Sequence, residues 1–293
     1  MTRRGAGVVS EGNTASAEWR RAVDRARQDV EERRTPAGRD EAPDDEVWVR
    51  EADPVSTAAR SRQRTGRAPA ADVQAESRTA PRRTRRLPDE VTDELVEAGG
   101  ARRGVRLARD LAAAAAAYEA GRYLDAQKML RPLVEAAPTA AGARELYGLT
   151  LYRLGRWRAA LTELAAYHLL TDSFDQYPVV ADCERALHHH DAVDEIWEAL
   201  RRASPGAAVL TEGRLVEAGS LADRGKLHEA IELLGRHAPD RARPNQGHLR
   251  TWYALADLYE RAGDIPRARQ LFSRIVAREA DFFDAAERLA SLR

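Results

Sequence analysis

The residues with the most reactive chemistry are Cys183 and the run His188-His189-His190 that follows it. A thiol and three imidazoles are side chains that bind zinc or copper, and a cysteine beside a histidine can act as a nucleophile. Their spacing argues against a metal site. On one helix Cys183 and His190 lie two turns apart, about 10 Å along the axis. One tetrahedral ion does not reach both without unwinding the helix. A half-buried core thiol and a polar interhelical turn are expected instead. No glycine-rich phosphate loop, Cys-x-x-Cys pair or His-Glu-x-x-His occurs. The residues therefore predict no enzyme, no metal and no other cofactor.

The second stretch with chemical potential is basic. Arg60, Arg62, Arg64, Arg67, Arg78, Arg82, Arg83, Arg85 and Arg86 stand against only Asp72 and Glu76. Arginine-rich segments grip phosphate backbones without reading sequence, so Arg60–Arg86 is a candidate nucleic-acid contact. No aromatic side chain lies within the run to stack on bases, which favours a solvated linker. Over the whole chain 47 basic residues balance 47 acidic ones, so no global field points to nucleic acid or membrane. Lys128 and Lys226 are the only lysines; GC-rich coding is the simplest source of that bias.

The elements that position these residues divide sharply. Residues 1–86 hold no Leu, Ile, Phe or Tyr, whereas leucines are dense from Leu87 onward. A segment without such side chains cannot offset about 1–2 kcal/mol per residue of backbone ordering entropy. A disordered tail, 1–86, and a folded domain, 87–293, are expected. Two places in the tail carry apolar pattern. Trp19, Ala22, Val23, Ala26 and Val30 recur at helical spacing, and Trp48 sits between valines in Glu46–Arg50. They read either as stray apolar residues or as short linear motifs that fold on binding. Met1–Gly12 has no apolar core of a secretory signal, and no stretch approaches the roughly 20 apolar residues of a membrane span. A cytoplasmic location is expected.

Beyond Leu87 an anchor pattern returns. Gly121, Tyr123, Ala126, Leu130 and Pro138 are followed 34 residues later by Gly155, Trp157, Ala160 and Leu164. Gly225, Leu227, Ala230 and Leu234 repeat it, as do Gly263, Ile265, Ala268 and Phe272. A degenerate copy between them keeps Val193, Trp197 and Pro205. This is the tetratricopeptide pattern at its usual period. The glycine turns the chain between two helices, the alanine lets them approach, the large residues fill the space between, and the proline stops the second helix. An all-α, right-handed solenoid of about five helix pairs is expected. Pro88–Ala98 caps one end, and a helix over Asp281–Leu292 caps the other with Phe282, Phe283, Ala286, Leu289 and Leu292 turned inward. His188-His189-His190 stands where the third turn's glycine is expected, which leaves that turn's geometry open.

Leu87–Arg293 resembles an uncharacterised family of actinobacterial tetratricopeptide-repeat proteins. The likeness rests on Arg144-Glu145 through Gly155-Arg156-Trp157, on Ala181-Asp182-Cys183-Glu184-Arg185 and on Trp252 to Phe272. The acidic-tryptophan element at Glu46–Arg50 also looks like that family's tails. The resemblance transfers no activity. In such a superhelix the first helix of each pair lines a concave groove, and the anchor numbering places Tyr118, Glu145, Leu149, Tyr152, Arg153, Asp182, Arg185, Tyr253, Asp257 and Arg261 there. Tyrosine and arginine often dominate interface energies. A scaffold binding a protein or peptide of unknown identity is expected, with an RNA- or ribosome-associated role through the arginine tail as the alternative. The related carboxylate-gripping groove uses Lys and Asn. Here those places hold Leu111, Ala115, Glu145, Leu149, Pro178 and Asp182, which excludes that clamp. Tyr152, Arg153 and Arg185 are expected to form one patch suited to an acidic or aromatic-bearing segment.

Overall fold

The computed structural model describes residues 21–28, 91, 93, 95, 96, 101–238 and 244–292. Among these the ordered elements are helices. They run α1 (Ala101–Glu119), α2 (Tyr123–Ala136), α3 (Ala141–Arg153), α4 (Trp157–Thr171), α5 (Tyr177–Ala186), α6 (His190–Ala203), α7 (Ala207–Asp223), α8 (Leu227–Gly235), α9 (Gln246–Arg261), α10 (Ile265–Val276) and α11 (Ala285–Ser291). From α1 to α10 they pair as antiparallel hairpins, each stacked on the next, and α11 closes the last pair.

Three columns of side chains set the pairing. Ala114, Gly148, Ala181, Ala218 and Ala256 lie seven residues before each turn, and a Cβ on Gly148 would sit 2.8 Å from the Leu164 side chain. Ala126, Ala160, Val193, Ala230 and Ala268 face them from the second helices and are all fully buried. One turn further on, Leu130, Leu164, Trp197, Leu234 and Phe272 fill the gap to the neighbouring pair. Close approach thus comes from small residues, and the apolar area from the large ones beside them.

The turns need a left-handed residue. Gly121, Gly155, Gly225 and Gly263 take φ of 73–80°. His188 takes φ 62° at the third turn, so that turn has the same geometry despite its side chain. Residues 91, 93, 95 and 96 are helical, within the expected cap: Leu95 is fully buried, and a Cβ on Gly104 would meet the Val96 backbone at 2.4 Å.

One expectation needs correction. The last helix begins at Ala285, not Asp281, because Phe283 has φ 46° and breaks the helix there. Phe282 is still buried, whereas Phe283 is partly exposed and lies against the rings of Tyr253 and Phe282. Within the helical-spacing stretch noted in the tail, residues 21–28 are helical, with Ala22 and Ala26 only 1% and 2% exposed in one apolar cluster with the first three pairs. Arg21, Ala22 and Arg25 line a cavity of about 210 Å³ with Arg158 and Leu161 of α4. The other tail features, Glu46–Arg50 and Arg60–Arg86, lie outside the described residues.

Candidate binding surface

Successive first helices approach one another more closely along the stack than successive second helices do. The closer row is the inside of the curve, so α1, α3, α5, α7 and α9 form the inner face. Each inner-face candidate sits where its register in those helices places it.

Much of that face is bonded to itself. The Tyr152 hydroxyl on α3 donates to Asp182 on α5 at 2.7 Å. Arg185 reaches on to Asp223 of α7 at 2.7 Å and lies 3.5 Å from Asp182. Arg261 of α9 donates back to the Ala222 carbonyl at 3.0 Å and lies 3.9 Å from Asp257. Arg288 of α11 contacts Asp257 at 2.9 Å, Glu260 at 2.6 Å and the Tyr253 hydroxyl at 3.3 Å. The Tyr253 hydroxyl itself donates to Asp284. Tyr152, Asp182 and Arg185 therefore do come together, as side chains 5%, partly and 9% exposed. Burial, with the Asp182 carboxylate alongside, pushes the Tyr152 phenol up; burial and Asp284 do the same for Tyr253. Both phenols stay neutral donors.

Arg153 turns another way. Its guanidinium lies 4.8 Å over the Tyr123 ring, which meets Tyr118 edge-on at 5.3 Å. Tyr118 is half-buried, and desolvation pushes its hydroxyl up to about 12. Glu145 accepts a 2.7 Å hydrogen bond from Gln176. Desolvation raises its carboxyl, the Gln176 bond opposes that, and Asp175 adds to it. Leu149 is buried on the same helix.

Asp223, Arg288, Glu260, Asp284 and Gly219 were not among the sequence candidates. The first four are ordinary surface types in a helical pattern, and only the stagger of neighbouring pairs makes them partners. Gly219 would carry a Cβ 2.4 Å from the Arg185 guanidinium. Its mid-helix position, costly in propensity, was the one available signal.

The thiol and imidazoles do not converge. Cys183 is fully buried, and burial pushes its thiol well up. His189 pairs with the buried Glu184 at 2.7 Å and His190 with Ser220 at 3.0 Å. No group of three or more metal-ligating side chains occurs among the described residues. No helix among them is long and apolar enough to cross a membrane.

Residues 249–292, which span α9 to α11, match the family model of the tetratricopeptide repeat. The chain contains that repeat. Its fold is a tetratricopeptide helical solenoid, an architecture generally used for protein–protein contacts. No curated protein and no solved structure matches the chain.

Proposed function

We propose that this chain is a non-catalytic scaffold that binds a protein or peptide partner on the inner face of its tetratricopeptide solenoid. The observation that carries the reading is the Tyr118–Tyr123–Arg153 group beside Glu145. There the inner face offers half-buried aromatic and arginine side chains, the types that anchor interfaces. Tyr152 on the same helix, with Arg185 and Tyr253 farther along the stack, braces neighbouring helices, so these three serve the scaffold by fixing its curvature.

The test is affinity capture with the full chain, followed by cross-linking of the captured protein. Tyr118→Ala with Arg153→Ala should abolish capture and keep the parent's helicity. Arg131→Ala, exposed on α2, should leave capture unchanged. Capture retained by the folded inner-face variant, with cross-links to second helices, would remove the inner face as the site.

A further inference from the structure

We infer that the inner face of the first three pairs is a groove for an arginine-rich peptide, and that its occupant is this chain's own run Arg78–Arg86. The inference rests on the inner-face reading above and names the chemistry of what binds there.

The charges on this stretch are lopsided once internal pairs are counted. Glu119 ends α1, Glu145 lies on α3, and Asp175 precedes α5. Among the described residues none of the three has an ion-pair partner. Arg185 is directed to Asp182 and Asp223, and Arg153 lies over Tyr123. An incoming guanidinium finds carboxylates it can bond as a fork, with the Tyr118 ring beside them for cation–π contact. Glu145 is mostly desolvated and has the Gln176 amide as its hydrogen-bond donor, so it gains from a cation. The same surface repels an acidic segment. This reverses the sign of partner that Tyr152, Arg153 and Arg185 suggest when read as free groups.

The fold delivers the run to this place. A Cβ on Gly142 would lie 3.2 Å from the Val91 side chain. Gly142 is three residues before Glu145 and therefore on the same face of α3. The chain thus enters the solenoid at the mouth of the groove. Arg78, Arg82, Arg83, Arg85 and Arg86 lie just upstream, with no acid among them before Asp89. Thirteen residues reach at most about 45 Å when extended, and helix pairs packed about 10 Å apart put the first three within that span. A peptide that binds such a groove at about 0.1 mM in trans, tethered at about 1 mM effective concentration, would occupy about nine-tenths of the molecules.

Trypsin cleavage within Arg82–Arg86 of the nucleic-acid-free full chain reads this occupancy, with cleavage at Arg60–Arg67 as the internal standard. The triple variant Glu119→Gln, Glu145→Gln, Asp175→Asn should be cleaved about tenfold faster at Arg82–Arg86. In the unaltered protein, about 0.5 M NaCl should give the same acceleration by screening, and so should an excess of a peptide spanning residues 74–90. Equal rates in parent and variant, with no effect of salt or peptide, would overturn the inference. The two readings separate cleanly. If Tyr118→Ala with Arg153→Ala loses the captured partner while cleavage is unprotected, the scaffold stands without this occupant. Protected arginines with undiminished capture would leave the occupant and remove the inner face as the partner's site.

Discussion

The guanidinium of Arg185 lies against Gly219, so close that a Cβ there would be 2.4 Å from its central carbon. The contact aims Arg185 at Asp223 and ties the third pair to the fourth. It lies near the place where the two apolar clusters of the solenoid meet, between Val216 and Ala218 on α7. Polar contacts hold this seam: Arg185 with Asp223, His190 with Ser220, and Arg224 with Asp194.

Gly219→Ala sets two effects against each other. Alanine gains about 1 kcal/mol of helix propensity. Displacing Arg185 forfeits a charge-assisted bond worth about 1.5–3 kcal/mol. The substitution should destabilise by about 1 kcal/mol. In an Arg185→Ala background its sign should invert, because only the propensity gain is left. A double-mutant cycle by urea unfolding checks this; additivity of the two changes would show that the guanidinium does not depend on Gly219.

His188 holds a left-handed backbone that costs a side-chain-bearing residue about 1–2 kcal/mol. Its ring is exposed, and its nearest ring neighbour, His190, is 6.1 Å away. His188→Gly should therefore stabilise the chain by about 0.5–1 kcal/mol, net of glycine's greater unfolded-state entropy. A rise in the denaturant midpoint at unchanged slope is the expected readout. A fall would mean that the imidazole contributes a contact of its own.

Glu217 gives the fold a pH dependence. Its carboxylate is buried in the seam, 3.8 Å from Arg224, and Arg224 is drawn into a two-armed pair with Asp194. One Glu217 oxygen is buried without a hydrogen-bond partner. Desolvation, with Asp194 and Glu198 as like charges, outweighs Arg224 and raises the group to about 7. A raised acid binds its proton more tightly folded than unfolded, so stability is fully present below about pH 4.5 and is lost as pH climbs to 7. Glu217→Gln should leave stability at pH 4.5 nearly unchanged and add about 2 kcal/mol at pH 8. Parallel pH profiles for parent and variant would contradict that.

The repeat was legible because its anchors are steric demands on single positions. Only a small residue fits where Ala160 or Ala268 faces its partner helix, and that need appears at a fixed period. The inner-face bonds were harder to read. Tyr152 and Asp182 are 30 residues apart in sequence, and whether they meet depends on how far one pair is rotated over the next. The Phe283 break was hidden because Phe282, Ala286, Leu289 and Leu292 fit a helical stripe through it. The seat of residues 21–28 was illegible for the opposite reason. Alanines carry almost no hydrophobic signal, so a face made of Ala22 and Ala26 looks alike whether it is buried or solvated.

That seat changes what truncation does. The tail's composition predicts that deleting it leaves the thermal transition of the solenoid unchanged. Ala22 and Ala26 are buried, however, and Leu161 of α4, only 1% exposed, lines the same cavity. An isolated tail helix is marginal in water, so packing and its tether to the solenoid hold it in place. Removing it uncovers part of Leu161, a loss below the roughly 1.5–3 kcal/mol of a full leucine burial. Deleting residues 1–30 should cost about 1 kcal/mol, which for a solenoid of this size is about 2–4 °C in Tm. Ala22→Arg with Ala26→Arg should reproduce the loss, because each places a long cation in a buried site beside Arg21, Arg25 and Arg158. Arg27→Ala, on the exposed side of the same helix, should not. If the deletion and the double variant both melt with the parent, the helix contributes nothing to the fold and the tail is dispensable after all.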